Sequence, residues 1–250
     1  MNNHLSFRSG NPTLNAKTFS GFDMVSEQSM TISGTVYKTA FSLLLLMTAS
    51  LFTWNLPAGD PRSGGLMMVG MLGGFVLALV TIFKQHLAKY TVPAYAILQG
   101  LALGGISKFF ETMYPGIVTQ AVMLTFGTLG ALLLAYVSGL IKPTENFKLG
   151  IIAATGGIAF VYFISWILSW FSVSVPLIHS NSNMGILFSI GVVIIAALNL
   201  VLDFDFIEEG SEKGAPKYME WYGAFGLMVT LIWLYLEILR LLAKLSSRRS

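Results

Sequence analysis

Apolar residues fall along this chain in long uninterrupted blocks, separated by short polar punctuation. The blocks lie near 36–56, 65–83, 92–112, 117–141, 149–171, 184–206 and 221–244. A helix needs about 20 mostly apolar residues to cross a hydrocarbon core, so the pattern predicts an all-α integral membrane protein with seven transmembrane helices. The breaks have physical causes. Pro57-Ala58-Gly59-Asp60-Pro61 marks a tight turn that cannot continue a helix. Lys84-Gln85-His86, Tyr114-Pro115-Gly116 and Lys142-Pro143-Thr144-Glu145-Asn146 end the next blocks. Ser172 to Asn183 reads as a polar loop, and Glu208 to Lys217 as a charged one.

Composition agrees with the pattern. Of 250 residues, 54% are hydrophobic and 11% charged, against roughly 25% charged in a soluble domain. Mean hydropathy is +0.70. No long polar interruption divides the chain, which predicts one membrane domain over 31–250 behind a polar, cytoplasmic tail over 1–30. That tail carries Arg8, Lys17, Asp23 and Glu27 and lacks the apolar core of a signal peptide, so the first block is expected to be kept as a helix.

The lysines and arginines set an orientation. Arg8, Lys17 and Lys38 lie at the start, and the loops on the same side hold Lys84, Lys89, Lys142, Lys148, Lys213 and Lys217. The opposite loops hold only Arg62 and Lys108. By the positive-inside rule the amino terminus is expected to be cytoplasmic, although Lys244, Arg248 and Arg249 near the carboxyl end pull the other way. The net charge of +3 therefore reports membrane topology and not a nucleic-acid-binding face. Glycines are spread through the blocks, and Gly100 and Gly104 have the spacing that lets helices approach closely. Tight packing is the expected reason, with a glycine-lined pore as the alternative.

Catalytic arrangements are nearly absent. There is no cysteine, which excludes thiol catalysis, disulfides and thiolate metal sites. The histidines, His4, His86 and His179, all fall in tails or loops, so neither a Ser-His pair nor a helical zinc site is formed. Lys244 sits at the end of the last block, the wrong place for a Schiff base within the membrane. The chain is expected not to be an enzyme.

The acids are left. Leu202-Asp203-Phe204-Asp205-Phe206-Ile207-Glu208-Glu209 is the densest acidic cluster, and Glu220 opens the last block a short loop later. The sixth and seventh helices must then be antiparallel, making Asp203 and Glu220 candidates to meet. Two close carboxylates share a proton and titrate together, and when both are ionised they attract Ca²⁺, which prefers carboxylate oxygens. A solvated acidic helix end is the alternative. Glu237 and Arg240 share one helix face and are expected to form a structural ion pair, with a gating role for Glu237 as the alternative. Glu237 lies roughly 24 Å along the last helix, too far from its start to reach Asp203.

Three stretches, taken together, resemble a known family. They are Leu202-Asp203-Phe204-Asp205-Phe206-Ile207, the last block from Ala224-Phe225-Gly226-Leu227 to Leu239-Arg240-Leu241-Leu242, and the opening Asn11-Pro12-Thr13-Leu14-Asn15-Ala16-Lys17-Thr18-Phe19 with Met30-Thr31-Ile32-Ser33-Gly34-Thr35-Val36. They resemble the Bax inhibitor-1, or transmembrane Bax inhibitor motif, family, in a longer bacterial branch. The resemblance implies six helices around a central seventh, in a bacterial inner membrane. It implies a pH-sensitive calcium leak gated by one aspartate from the sixth helix and one from the seventh, with Ca²⁺ and protons as partners and no resident cofactor. Asp203 matches the first aspartate and is the tentative Ca²⁺ ligand. Aligning Leu239-Arg240 with the family pattern puts Thr230 at the second position, and aligning Tyr235-Leu236-Glu237 puts Glu237 there; Glu220 could supply the acid from elsewhere. Asp203, Asp205, Glu220 and Glu237 are thus the gating or ion-binding candidates. Two rival functions are a regulatory protein that restrains a membrane protease through the 1–30 tail and a proton-coupled transporter.

Overall fold

The computed structural model describes residues 29–57, 59–171, 180 and 182–248. The expected tail over 1–30 and the loop after 171 lie almost wholly outside the described residues. The rest is helical: α1 (Ile32–Trp54), α2 (Pro61–Phe83), α3 (Ala88–Met113), α4 (Ile117–Val137), α5 (Glu145–Trp170), α6 (Asn183–Glu212) and α7 (Met219–Ser247). A 3₁₀ turn, Gln85–Leu87, links α2 to α3. Odd-numbered helices run one way and even-numbered ones return. The end where α1, α3, α5 and α7 begin is termed proximal, the other distal.

Local chemistry fixes the helix ends. Thr31 caps α1, its hydroxyl accepting from Gly34 N–H at 3.0 Å. Asp60 caps α2 with Pro61 at the first helical position, where a missing N–H costs nothing. The Arg62 guanidinium holds the Asp60 carboxyl down to about 2. At the α3–α4 turn Gly116 takes φ +86°, a backbone region open to glycine. There Glu111 accepts from the Gly116 and Val118 N–H groups at 2.6 and 3.0 Å. Lys108 donates to the Trp54 carbonyl at 2.9 Å and to that of Leu56, closing the distal end of α1.

Six of the seven helices are long and apolar enough to cross a membrane; the exception is α3. Seven qualifying spans were expected. The difference has a physical source: α3 carries Lys89, Gln99, Lys108 and Glu111, and it is sheltered by protein on two sides. It packs tightly on α1 and α2, with Val92, Ala96, Ala102 and Gly104 among its buried residues. A Cβ added at Gly100 or Gly104 would overlap the Leu46 or Ser50 carbonyl oxygen of α1, and one at Gly70 the Leu98 carbonyl oxygen. At these three positions glycine serves close helix packing.

The last helix is the most enclosed. Of its apolar window 56% is buried, against 11% for α5. It packs on α1, α3, α4 and α6, burying Phe225, Met228, Leu231, Leu234 and Leu239. Tyr235 meets Ser107 of α3 at 2.6 Å, and Phe225 meets Tyr95 edge to face at 5.1 Å. Helix α2 packs on α3, and α5 on α6.

Candidate functional site

The acidic cluster belongs to a helix: α6 continues through it to Glu212. Residues two apart on a helix point to nearly opposite sides, so each acid meets a different neighbour. Asp205 turns to α5, where Lys148 binds it at 2.6 Å. Glu208 accepts a hydrogen bond from Tyr136 of α4. Glu209 pairs with Lys213 on the surface, one turn on.

Asp203 differs from all of them. It turns inward against α7 at Gly226, where a Cβ would come within 3.5 Å of its Oδ1. Thr230, one turn further along α7, lines the same cavity. Its Oδ2 is shielded from solvent and has no hydrogen-bond partner. No lysine or arginine pairs with it among the described residues. The carboxyl borders a cavity of about 750 Å³ between α2, α3, α6 and α7, whose other polar walls are Tyr95, Gln99, Asn199, Tyr222 and Thr230. No group of three or more histidines or acids that could hold a metal occurs among the described residues. A cation here would meet one carboxylate and neutral oxygens, fewer charged ligands than a resident Ca²⁺ site uses.

Glu220 does not join Asp203. It is fully buried, and its carboxylate accepts from Thr31 N–H at 2.9 Å and the Thr31 hydroxyl at 2.8 Å. Lys38 binds its other oxygen, and Lys217 lies 3.0 Å away. Two cations and two hydrogen bonds saturate it. The expected Asp203–Glu220 meeting therefore fails: Glu220 sits in the first turn of α7 and faces α1, whereas Asp203 faces Gly226 and Thr230 further along. Glu237 is also remote from Asp203. Arg240 binds it at 2.9 Å, Tyr162 of α5 donates to it at 3.0 Å, and Arg240 donates to the same hydroxyl at 2.9 Å. Of the two alignments of the last helix, the one that places Thr230 second brings its residue to Asp203.

Thr31, Lys38, Lys148, Tyr162 and Lys217 were not foreseen as partners. Lys38, a lone charge within an apolar block, was the one legible signal; the others depend on which helices become neighbours.

A bundle of helices able to cross a membrane, with one carboxyl uncompensated among the described residues and bordering a cavity between helices, defines a polytopic membrane protein. The chain matches the family model described as Bax inhibitor 1 like over residues 11–247 and belongs to that family. Such proteins are not generally enzymes. No curated protein matches the chain.

Proposed function

We propose that this protein is a pH-responsive cation leak, with Ca²⁺ as permeant ion, in a bacterial inner membrane. In this reading the amino terminus and the proximal end are cytoplasmic, and α7 is the axis about which the other helices are arranged. Asp203 is the gating group, Thr230 stands where a second aspartate is expected, and Asp205, Glu220 and Glu237 brace the bundle. The supporting observation is the Asp203 carboxyl: it faces a cavity, one oxygen lacks a partner, and no side-chain cation among the described residues neutralises it. A carboxyl so placed remains free to take a proton or to meet a cation, which the salt-bridged acids are not. Buried ionisable groups within membrane helices mark ion pathways for this reason. Distal to Thr230, α7 buries Leu231, Leu234 and Leu239, an apolar stretch that a passing ion would require to part.

Calcium flux into proteoliposomes of purified protein, measured over a range of pH, tests the proposal. Asp203→Asn should abolish the pH response, and Glu209→Gln should leave it intact. Equal responses from the two variants would reduce the cluster to a diffuse negative surface and refute the assignment.

A further inference from the structure

Helices α1 and α4 both lie against α7 but do not pack closely on each other. The gap holds two cavities. One, about 270 Å³, occupies the distal half, and the other, about 770 Å³, the proximal half. Leu43 lines both, and α7 borders them at Leu231 and Leu227. They form one groove along the bundle, apolar in its depth and polar at the proximal mouth, where Tyr136, Lys142 and Glu208 lie.

The mouth carries a specific charge pattern. Lys142 is exposed and forms no salt bridge among the described residues. Glu208 receives the Tyr136 hydroxyl on Oε2 and pairs with no lysine or arginine among the described residues. Asp205 also lines it but is neutralised by Lys148. With Asp205 engaged by Lys148, one lysine without an acid partner and one acid without a cation, Lys142 and Glu208, remain there, so the mouth suits a neutral ligand carrying one charge of each sign. An acyl chain is a single file of methylenes and fits.

We propose that the α1–α4 groove is a binding site for an ethanolamine glycerophospholipid, whose phosphate is held by Lys142, whose ammonium is held by Glu208, and whose acyl chain lies over Leu43 towards the distal cavity. The ammonium hydrogens distinguish this head group from its trimethylated analogue, which cannot donate to Glu208. The balanced mouth distinguishes it from an anionic lipid. The inference does not depend on the leak activity.

Native mass spectrometry of delipidated, full-length protein, with phosphatidylethanolamine, phosphatidylcholine or phosphatidylglycerol added back, provides the test. One phosphatidylethanolamine should be retained about tenfold more strongly than either other lipid, in keeping with one charge-assisted hydrogen bond. Lys142→Gln and Glu208→Gln should each weaken that retention. Both side chains are exposed, so melting temperatures should stay near wild type. Ala40→Trp, which places an indole in the proximal cavity across the path of the acyl chain, should remove retained lipid of every type. Equal retention of the three lipids, or undiminished binding in Ala40→Trp, would overturn the proposal, as would several weak adducts with no head-group preference.

Discussion

The charged side chains divide by what already holds them. Glu237 has Arg240 and Tyr162, Asp205 has Lys148, and Asp203 has only the uncharged Thr230 beside it. The Glu237–Arg240 pair should therefore behave as structure. Neutralising one member leaves the other charge unpaired deep in a membrane helix, at about 2–3 kcal/mol. Glu237→Gln or Arg240→Leu alone should lower the melting temperature, and the double variant should recover part of the loss. Measuring calcium flux on the same proteins separates the roles: lost flux without lost stability, not restored in the double variant, would make Glu237 a gating group. Residue type marked out the acids in the sequence, but not their pairings. Asp203, Asp205 and Glu208 are chemically alike and nearly adjacent, and only the neighbours supplied by α4, α5 and α7 make them different.

Among the helices, glycines separate into two kinds. Gly100 and Gly104 on α3 lie against carbonyl oxygens of α1, and those such as Gly127 on α4 face open space. Gly104→Val should cost about 2–3 kcal/mol through overpacking against backbone that cannot yield. Gly127→Ala should leave stability unchanged or raise it by about 0.5–1 kcal/mol, since glycine is the poorer helix former. Thermal melts in detergent decide both, and equal losses at the two positions would contradict the packing described. Block structure alone located every helix, because about 20 apolar residues can do little else in a membrane. The ends were less legible. Helix α1 begins at Ile32 and not 36, and α6 runs to Glu212 and not 206, since turns that emerge beyond the apolar core keep their hydrogen bonds without being apolar. Pro61 was read as a breaker, yet it opens α2 behind its Asp60 cap. For α3 an apolar block was visible, but its polar load becomes affordable only once α1 and α2 cover it.

At the scale of the molecule, the proximal ends of the first and last helices are fastened together. Glu220 of α7 binds Thr31 and Lys38, Met30 N–H donates to the Ala215 carbonyl at 2.6 Å, and Ser29 bridges Pro216. A Cβ at Gly34 would overlap the Glu220 carboxylate. Removing that carboxylate orphans two lysines, so Glu220→Ala should cost about 3 kcal/mol or more. It should also expose the chain around residues 29–38 to limited proteolysis; an unchanged digestion pattern and melting temperature would show that the clasp is ornamental. The helix with the largest share of its apolar window buried is also the one that follows the other six described helices in the chain. Until the ribosome has delivered residues beyond 219, Lys38 has no Glu220, Ser107 has no Tyr235, and Asp203 has no Thr230. A nascent chain can thread its first six helices into the bilayer one by one and pack α3 on α1 and α2, but most contacts that join that group to α4 and α6 arrive with α7. Loss of the residues from 219 on would thus leave α1, α2 and α3 packed on one another but α4 and α6 without their main partner, a substrate for membrane quality control and not a weaker version of the same protein.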